Sequence, residues 1–116
     1  MLINCLKHDV VVFDGEEEIV IHPSGSVIRM EERVAWVKQI EGVPGVVSRI
    51  EFTIPTGIPE TEPGDILIVS AVCASSQYMK VYASTHGITL ISPDTGESAK
   101  RNAAGQVIGV SGFRMF

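Results

Sequence analysis

The chain has 116 residues, 45% of them apolar and 20% charged, with fourteen acids against nine bases and a formal net charge of −5. That length suits a single domain, residues 1–116, which buries roughly two thirds of its unfolded surface without disulfide or metal staples, and the apolar share excludes a disordered chain. Acids cluster at Glu16-Glu17-Glu18, at Glu31-Glu32 and around Glu60, Glu62 and Asp65. This balance excludes a nucleic acid polymer as partner, because such binding rests on Lys and Arg neutralising phosphates. A small anion needs only two or three well-placed arginines and stays open as a ligand.

Cys5 and Cys73 are the only cysteines, and a lone, distant pair fits free thiols in a reducing compartment better than a disulfide framework. The start, Met1 to Asp9, lacks the charged opening and long apolar stretch of a signal peptide. No apolar run approaches the ~20 residues of a membrane helix. The expected location is the cytoplasm, with no membrane partner.

In chain order, Val10-Val11-Val12-Phe13 is an apolar run that meets Asp14-Gly15, a pair suited to a tight hairpin turn, and Glu18 to Ile21 reads as the returning strand. Pro23-Ser24-Gly25 turns the chain again, and Val27 to Met30 starts a third strand. Arg33 to Ile40 carries the single tryptophan, Trp36, on a fourth. After the turn Gly42-Val43-Pro44-Gly45, residues 46–52 alternate, with Ser48, Ile50 and Phe52 on one face and Val47, Arg49 and Glu51 on the other. Pro55, Gly57, Pro59, Pro63 and Gly64 make 55–64 an extended surface loop or edge segment.

Ile66 to Val69 is a compact apolar strand. Residues 70–79 change character: small residues with Val72, Ser75, Tyr78 and Met79 at three- and four-residue spacing predict one short helix, N-capped by Ser70. Strands return at 88–91, 99–102 and 106–110, separated by the turns Pro93-Asp94-Thr95-Gly96 and Ala103-Ala104-Gly105. The expected fold class is α+β: about seven mainly antiparallel strands with one short helix packed on the sheet.

Asp94-Thr95-Gly96 matches the loop with which two subunits of a retropepsin-like aspartic protease bring two carboxylates together to share a proton. Those loops follow an apolar strand directly and continue with Ala or Ser, whereas here Pro93 precedes and Glu97 follows. A turn lining a pocket is the better reading. His8, His22 and His86 lack a second His or Cys at local ligand spacing, so no metal site is expected. Cys73 reads as a small apolar helix residue rather than a nucleophile. Neither phosphate-loop pattern occurs, and no cofactor is expected.

Arg29, Arg49, Arg101 and Arg114 sit in or beside expected strands with apolar flanks. Either they pair with the chain's own carboxylates, or some of them line a pocket for phosphate or carboxylate. In the second case Asp94, Thr95 and Asn102 add hydrogen bonds, and Tyr78 or Phe113 stacks on a base. The apolar tail, Phe113 to Phe116, either completes the core or docks on a second subunit.

From end to end the chain resembles a family of small proteins of phages, prophages and mobile elements. The likeness lies in the opening Ile3-Asn4-Cys5-Leu6-Lys7-His8-Asp9-Val10, then Pro23 to Arg29, Ile68 to Val72, Ser92 to Gly96, and Gln106 to Val110, in that order. Cys5 and Lys7 depart from the Thr-Pro character the family shows before its His. The chain is also similar to the phage Thoeris anti-defence 1 proteins, non-enzymatic sponges that sequester cyclic ADP-ribose signals, and in some cases cyclic oligonucleotides, as symmetric oligomers. That resemblance implies a homo-oligomer that takes a small phosphorylated nucleotide out of circulation and counters host immunity. The expected site is a pocket where Arg29, Arg101 and Arg114 contact phosphates. Two other functions fit the same sequence: a phage accessory or structural protein acting through protein contacts, and a dimeric aspartic protease using Asp94.

Overall fold

The computed structural model describes all residues from Met1 to Phe116. In chain order its strands are β1 (Leu2–Asn4), β2 (Val10–Asp14), β3 (Glu17–Ile21), β4 (Glu32–Lys38), β5 (Val47–Phe52) and β6 (Ile66–Ile68). Two helices, α1 (Ala71–Ser75) and α2 (Gln77–His86), lead to β7 (Thr89–Pro93), β8 (Lys100–Arg101), β9 (Val107–Gly109) and β10 (Phe113–Arg114). The fold is α+β and β-rich, built largely of antiparallel pairs: β2–β3, β4–β5, β8–β9 and β7–β10.

The central sheet, ordered β1-β6-β7-β10, holds the exceptions, because β6 runs parallel to both β1 and β7. Parallel neighbours need a long crossover, and α1 with α2 supplies it between β6 and β7. Such strands are covered on both faces and read as unbroken apolar runs, as Ile66-Leu67-Ile68-Val69 does. Leu67 and Val69 face the helices, in a cluster with Cys5, Cys73, Met79 and Leu90. Ile68 faces the other way, onto Val10 and Val110 with Leu6, Ile21, Ile91 and Phe113 around them. The β2–β3 hairpin and the end of β9 thus cover one side of the sheet and the helices cover the other.

Ser70 caps α1 by accepting from the Cys73 N–H (3.2 Å), as its position before the apolar stretch predicts. The single expected helix is in fact two: Ser76 ends α1, caps α2 in turn, and α2 runs on to a left-handed Gly87. Its buried residues are Met79 and Ala83, while Val72 and Tyr78, whose spacing with Met79 predicted the helix, are exposed. The strand expected over Val27–Met30 reduces to one bridge between Arg29 and Thr56. The first hairpin turns on Gly15-Glu16, with Asp14 paired to Glu17 and Gly15 at φ 64°, one residue later than Asp-Gly would place it. A glycine at the first central position fits the II′ hairpin turn.

β4 and β5 stand apart from these layers. From Glu31 to Phe52 every residue but Val47 is exposed, and the molecule measures 53 × 42 × 22 Å with a radius of gyration of 17.0 Å. About 13 Å is expected of a compact chain of this length, so the hairpin is an arm. Its ladder continues inward through paired backbone bonds between Arg29 and Thr56 (both 2.9 Å), next to the buried Ile28. Gly57 makes that foot possible: its φ is 81°, and a Cβ there would overlap the Val27 carbonyl oxygen. No helix is long and apolar enough to cross a membrane.

Two substitutions test this assignment of the core and of the foot. Leu67→Ala should cost about 2–5 kcal/mol in urea unfolding, through lost contacts and a cavity beneath the helices. Gly57→Ala should cost about 1–3 kcal/mol, since the residue must leave its left-handed conformation or displace Val27. A loss under about 0.5 kcal/mol for Leu67→Ala, the level of a neutral surface change, would refute the placement of the core.

Candidate functional site

The turn after β7 is where separate parts of the sequence meet. Asp94 folds it locally: its Oδ1 accepts from the Gly96 N–H (3.0 Å), the side-chain-to-backbone bond typical of an Asp two residues ahead of a turn glycine. Arg114, on β10, reaches the same carboxylate oxygen with its Nη2 (2.9 Å). A Cβ on Gly96 would stand 2.7 Å from that Nη2, so glycine leaves room for the guanidinium to close over the turn. Arg101 approaches from the β8–β9 hairpin, donating through Nη2 to the Thr95 carbonyl (3.2 Å) and through Nη1 to the Gly105 carbonyl (2.8 Å). Two guanidinium groups thirteen positions apart therefore flank one three-residue segment.

Asn102 serves the architecture of this corner. Its Oδ1 accepts from the N–H groups of Ala104 and Gln106 (both 3.0 Å), and its Nδ2 donates to Gln106 Oε1 (3.0 Å). The side chain locks the hairpin that presents Arg101. Lys100, next in line, lies over the Phe13 ring at 4.5 Å, a cation–π contact that fixes a second cation on the same hairpin.

Thr95 also borders a crevice of about 150 Å³ with His8, Asp9, Pro93 and the stretch Val107–Val110. Buried Asn4 shapes its far wall: Nδ2 donates to the carbonyls of His8 (3.1 Å) and Ile21 (3.0 Å), and Oδ1 accepts from the Leu6 N–H (3.0 Å). Every polar atom of that side chain is used, as burial requires. Asp9 in turn holds the His22 ring at 2.9 Å.

Of the eight residues expected at a ligand site, five gather here: Asp94, Thr95, Arg101, Asn102 and Arg114. Three do not. Arg29 is exposed at the foot of the arm, where its backbone bonds Thr56. Tyr78 lies at the start of α2, lining a separate hollow with Met30, Ile54 and Val72. Phe113 is half-buried against Val10, Ile68 and Val110 and belongs to the core edge, not to a stacking platform. Sequence reading passed over Lys100, weighed His22 only as a metal ligand, and met Asn4 and Asp9 only in the family-like opening. The family-like opening around Asn4 and His8 was the one signal pointing to that wall.

Of these arginines, Arg114 is paired with a carboxylate of its own chain, that of Asp94, whereas Arg101 meets backbone carbonyls. The Asp94 carboxyl is held below its ordinary value of 3.8, chiefly by the Gly96 N–H and further by Arg114, with burial opposing. No three His, Cys, Asp or Glu side chains stand close enough together to hold a metal ion. Burial pushes the thiols of Cys5 and Cys73 up to about 11, far from the lowered values of reactive cysteines.

Because the folded Asp94 carboxyl titrates below its unfolded value, its stabilising contribution is complete above 3.8 and is lost as pH falls through the lowered value. Side-chain NMR titration should place Asp94 below 3.8, and Arg114→Ala should move it upward. An unmoved midpoint would show that the guanidinium does not act on this carboxylate. Compared with family models, curated proteins and solved structures, the chain matches none.

Proposed function

We propose that this chain is a non-enzymatic binder that sequesters a small phosphorylated nucleotide, of the cyclic ADP-ribose type, at the corner between the Asp94–Gly96 turn and the β8–β9 hairpin. The observation that carries the reading is the meeting of Arg101 and Arg114 on one turn in a chain whose net charge is −5. A guanidinium has five N–H donors in a fixed fork. Arg101 spends two of its groups on backbone carbonyls and Arg114 spends one on Asp94, which leaves each with donors for a phosphate. Those internal bonds also hold both forks in place before a ligand arrives, which lowers the ordering cost of binding.

The adjoining crevice of about 150 Å³ is below the ~300–1,000 Å³ of a drug-sized pocket. Its lining of valines, Ile108 and Pro93 suits one ring, with the phosphates of the ligand lying outside it, over Thr95 and the hairpin. Binding needs complementarity and no nucleophile, base or metal. The resemblance to phage anti-defence sponges supports the biological side of the reading: capture of a host immune signal without turnover.

Calorimetry or native mass spectrometry against a panel of cyclic ADP-ribose isomers and cyclic dinucleotides tests this. Uptake of at least one member is expected, and Arg101→Ala or Arg114→Ala should each weaken it about 10- to 100-fold, the value of a lost charge-assisted hydrogen bond. Asp94→Asn should strengthen it, since it removes a competing anion from the corner while keeping the Oδ1 that accepts from Gly96. No uptake across the panel, or uptake indifferent to both arginines, overturns the proposal.

A further inference from the structure

Carbonyl and carboxylate oxygens only accept hydrogen bonds, so each bond they make to a histidine ring fixes which nitrogen carries the proton. His8 Nδ1 lies 2.9 Å from the Asp9 carbonyl oxygen and therefore donates to it. In the neutral ring Nε2 is then a bare acceptor, the one ring nitrogen left for a ligand. His22 Nδ1 donates in the same way to Asp9 Oδ1 (2.9 Å), which leaves Asp9 Oδ2 as a second unspent acceptor. The Asn4 amide also holds the His8 carbonyl (3.1 Å). Each of the two residues is thus tied at two points within the chain, although both are exposed.

His8 and Asp9 line the crevice of about 150 Å³ together with Thr95, Pro93 and Ile108. The arginines at the neighbouring turn bring only donors and positive charge. His8 and Asp9 bring only acceptors, and the ion-pair partner of Asp9 is His22, not an arginine. A ligand that satisfies both sets carries anionic oxygens on one part and an N–H donor on another. A phosphodiester has no donor to offer, and the Asp9 carboxylate repels it. The apolar lining takes a flat ring. A nucleotide whose base bears an exocyclic amino group meets all of these demands. A base with a carbonyl oxygen in that place sets acceptor against acceptor, and a polar group desolvated without a partner is penalised.

We infer that His8 Nε2 and Asp9 Oδ2 are specificity-determining acceptors that read the exocyclic amino group of an adenine seated in this crevice. The inference rests on the nucleotide reading above and names what that site selects. The arginines hold the phosphates and are blind to the base, whereas His8 and Asp9 distinguish one base from another and turn the ligand ring-first into the crevice.

Calorimetry with matched pairs of probes tests it. Cyclic ADP-ribose is compared with cyclic inosine diphosphate ribose, and cyclic di-AMP with cyclic di-IMP; within each pair the phosphates are the same and a carbonyl oxygen replaces the amino group. The wild type should prefer the adenine member of a pair it binds by about 10-fold, the value of a hydrogen bond made or lost. His8→Lys exchanges an acceptor for a group that only donates and should turn the preference toward hypoxanthine. Its added charge acts equally on both members and cancels in the ratio. Asp9→Asn, whose amide can also donate, should narrow the wild-type ratio to about threefold. Circular dichroism should stay native in both variants, because neither side chain lies in the core. Uptake that depends on Arg101 and Arg114 but does not tell adenine from hypoxanthine overturns this inference alone, as does a preference that both variants leave unchanged. No uptake of any probe overturns the nucleotide reading and this inference with it.

Discussion

The structure depends on covering β6 from both sides. Leu67, Ile68 and Val69 are essentially inaccessible to solvent, and they point alternately into the helical cluster and into the hairpin cluster. An interior strand with two apolar faces must have a layer on each. That requirement accounts for α1 and α2 on one side, for β2–β3 on the other, and for parallel neighbours in a chain whose remaining pairs are antiparallel. β1 completes the sheet with three residues because Leu2, Ile3 and Asn4 pair in register with Ile66, Leu67 and Ile68.

The candidate corner is a consequence of that sheet. β10 returns antiparallel beside β7, with Arg114 opposite Ser92, so the guanidinium falls on the turn that β7 leads into. The β8–β9 hairpin is tied back through the bridge between Val12 and Val110 and the bond from the Phe13 N–H to the Val110 carbonyl (2.8 Å). Gly109 lets Phe13 lie directly on the backbone there, and Lys100 covers the same ring. Packing under the hairpin thus fixes where Arg101 stands, and Asn102 fixes the turn that presents it.

The arm obeys a different logic. Its ladder is local, its foot is pinned by Arg29, Thr56 and Gly57, and its apolar side chains stay about half exposed. Burial of apolar area is the main favourable term in folding, and the arm has little of it within the chain. The core is therefore held by burial between layers, and the arm by its own ladder and its foot. The apolar tail divides in the same way: Phe113 enters the core edge, while Met115 and Phe116 remain exposed.

Features set by near neighbours in the chain were legible from the sequence. The β-rich class, the hairpin over Val10–Ile21, the arm strands, the apolar run at β6 and the Ser70 cap each follow from period, turn residue or capping chemistry acting over a few positions. The position of the first turn differed by one residue, because strand register and not the Asp-Gly pair decided it. β1 is three residues long, too short to show a period, and it exists through partners more than sixty positions away. α2 extends past Met79 because Ala83 and Met79 pack on the sheet, a tertiary gain that Ser84 and Thr85, weak helix formers, conceal. Arg101 and Arg114 could be named as cations in apolar surroundings, but their meeting, and the separation of Arg29, Tyr78 and Phe113 from them, were decided by sheet register and hairpin packing. Local chemistry fixes which residues turn, cap or extend; only the burial of one strand between two layers fixes which distant side chains become neighbours.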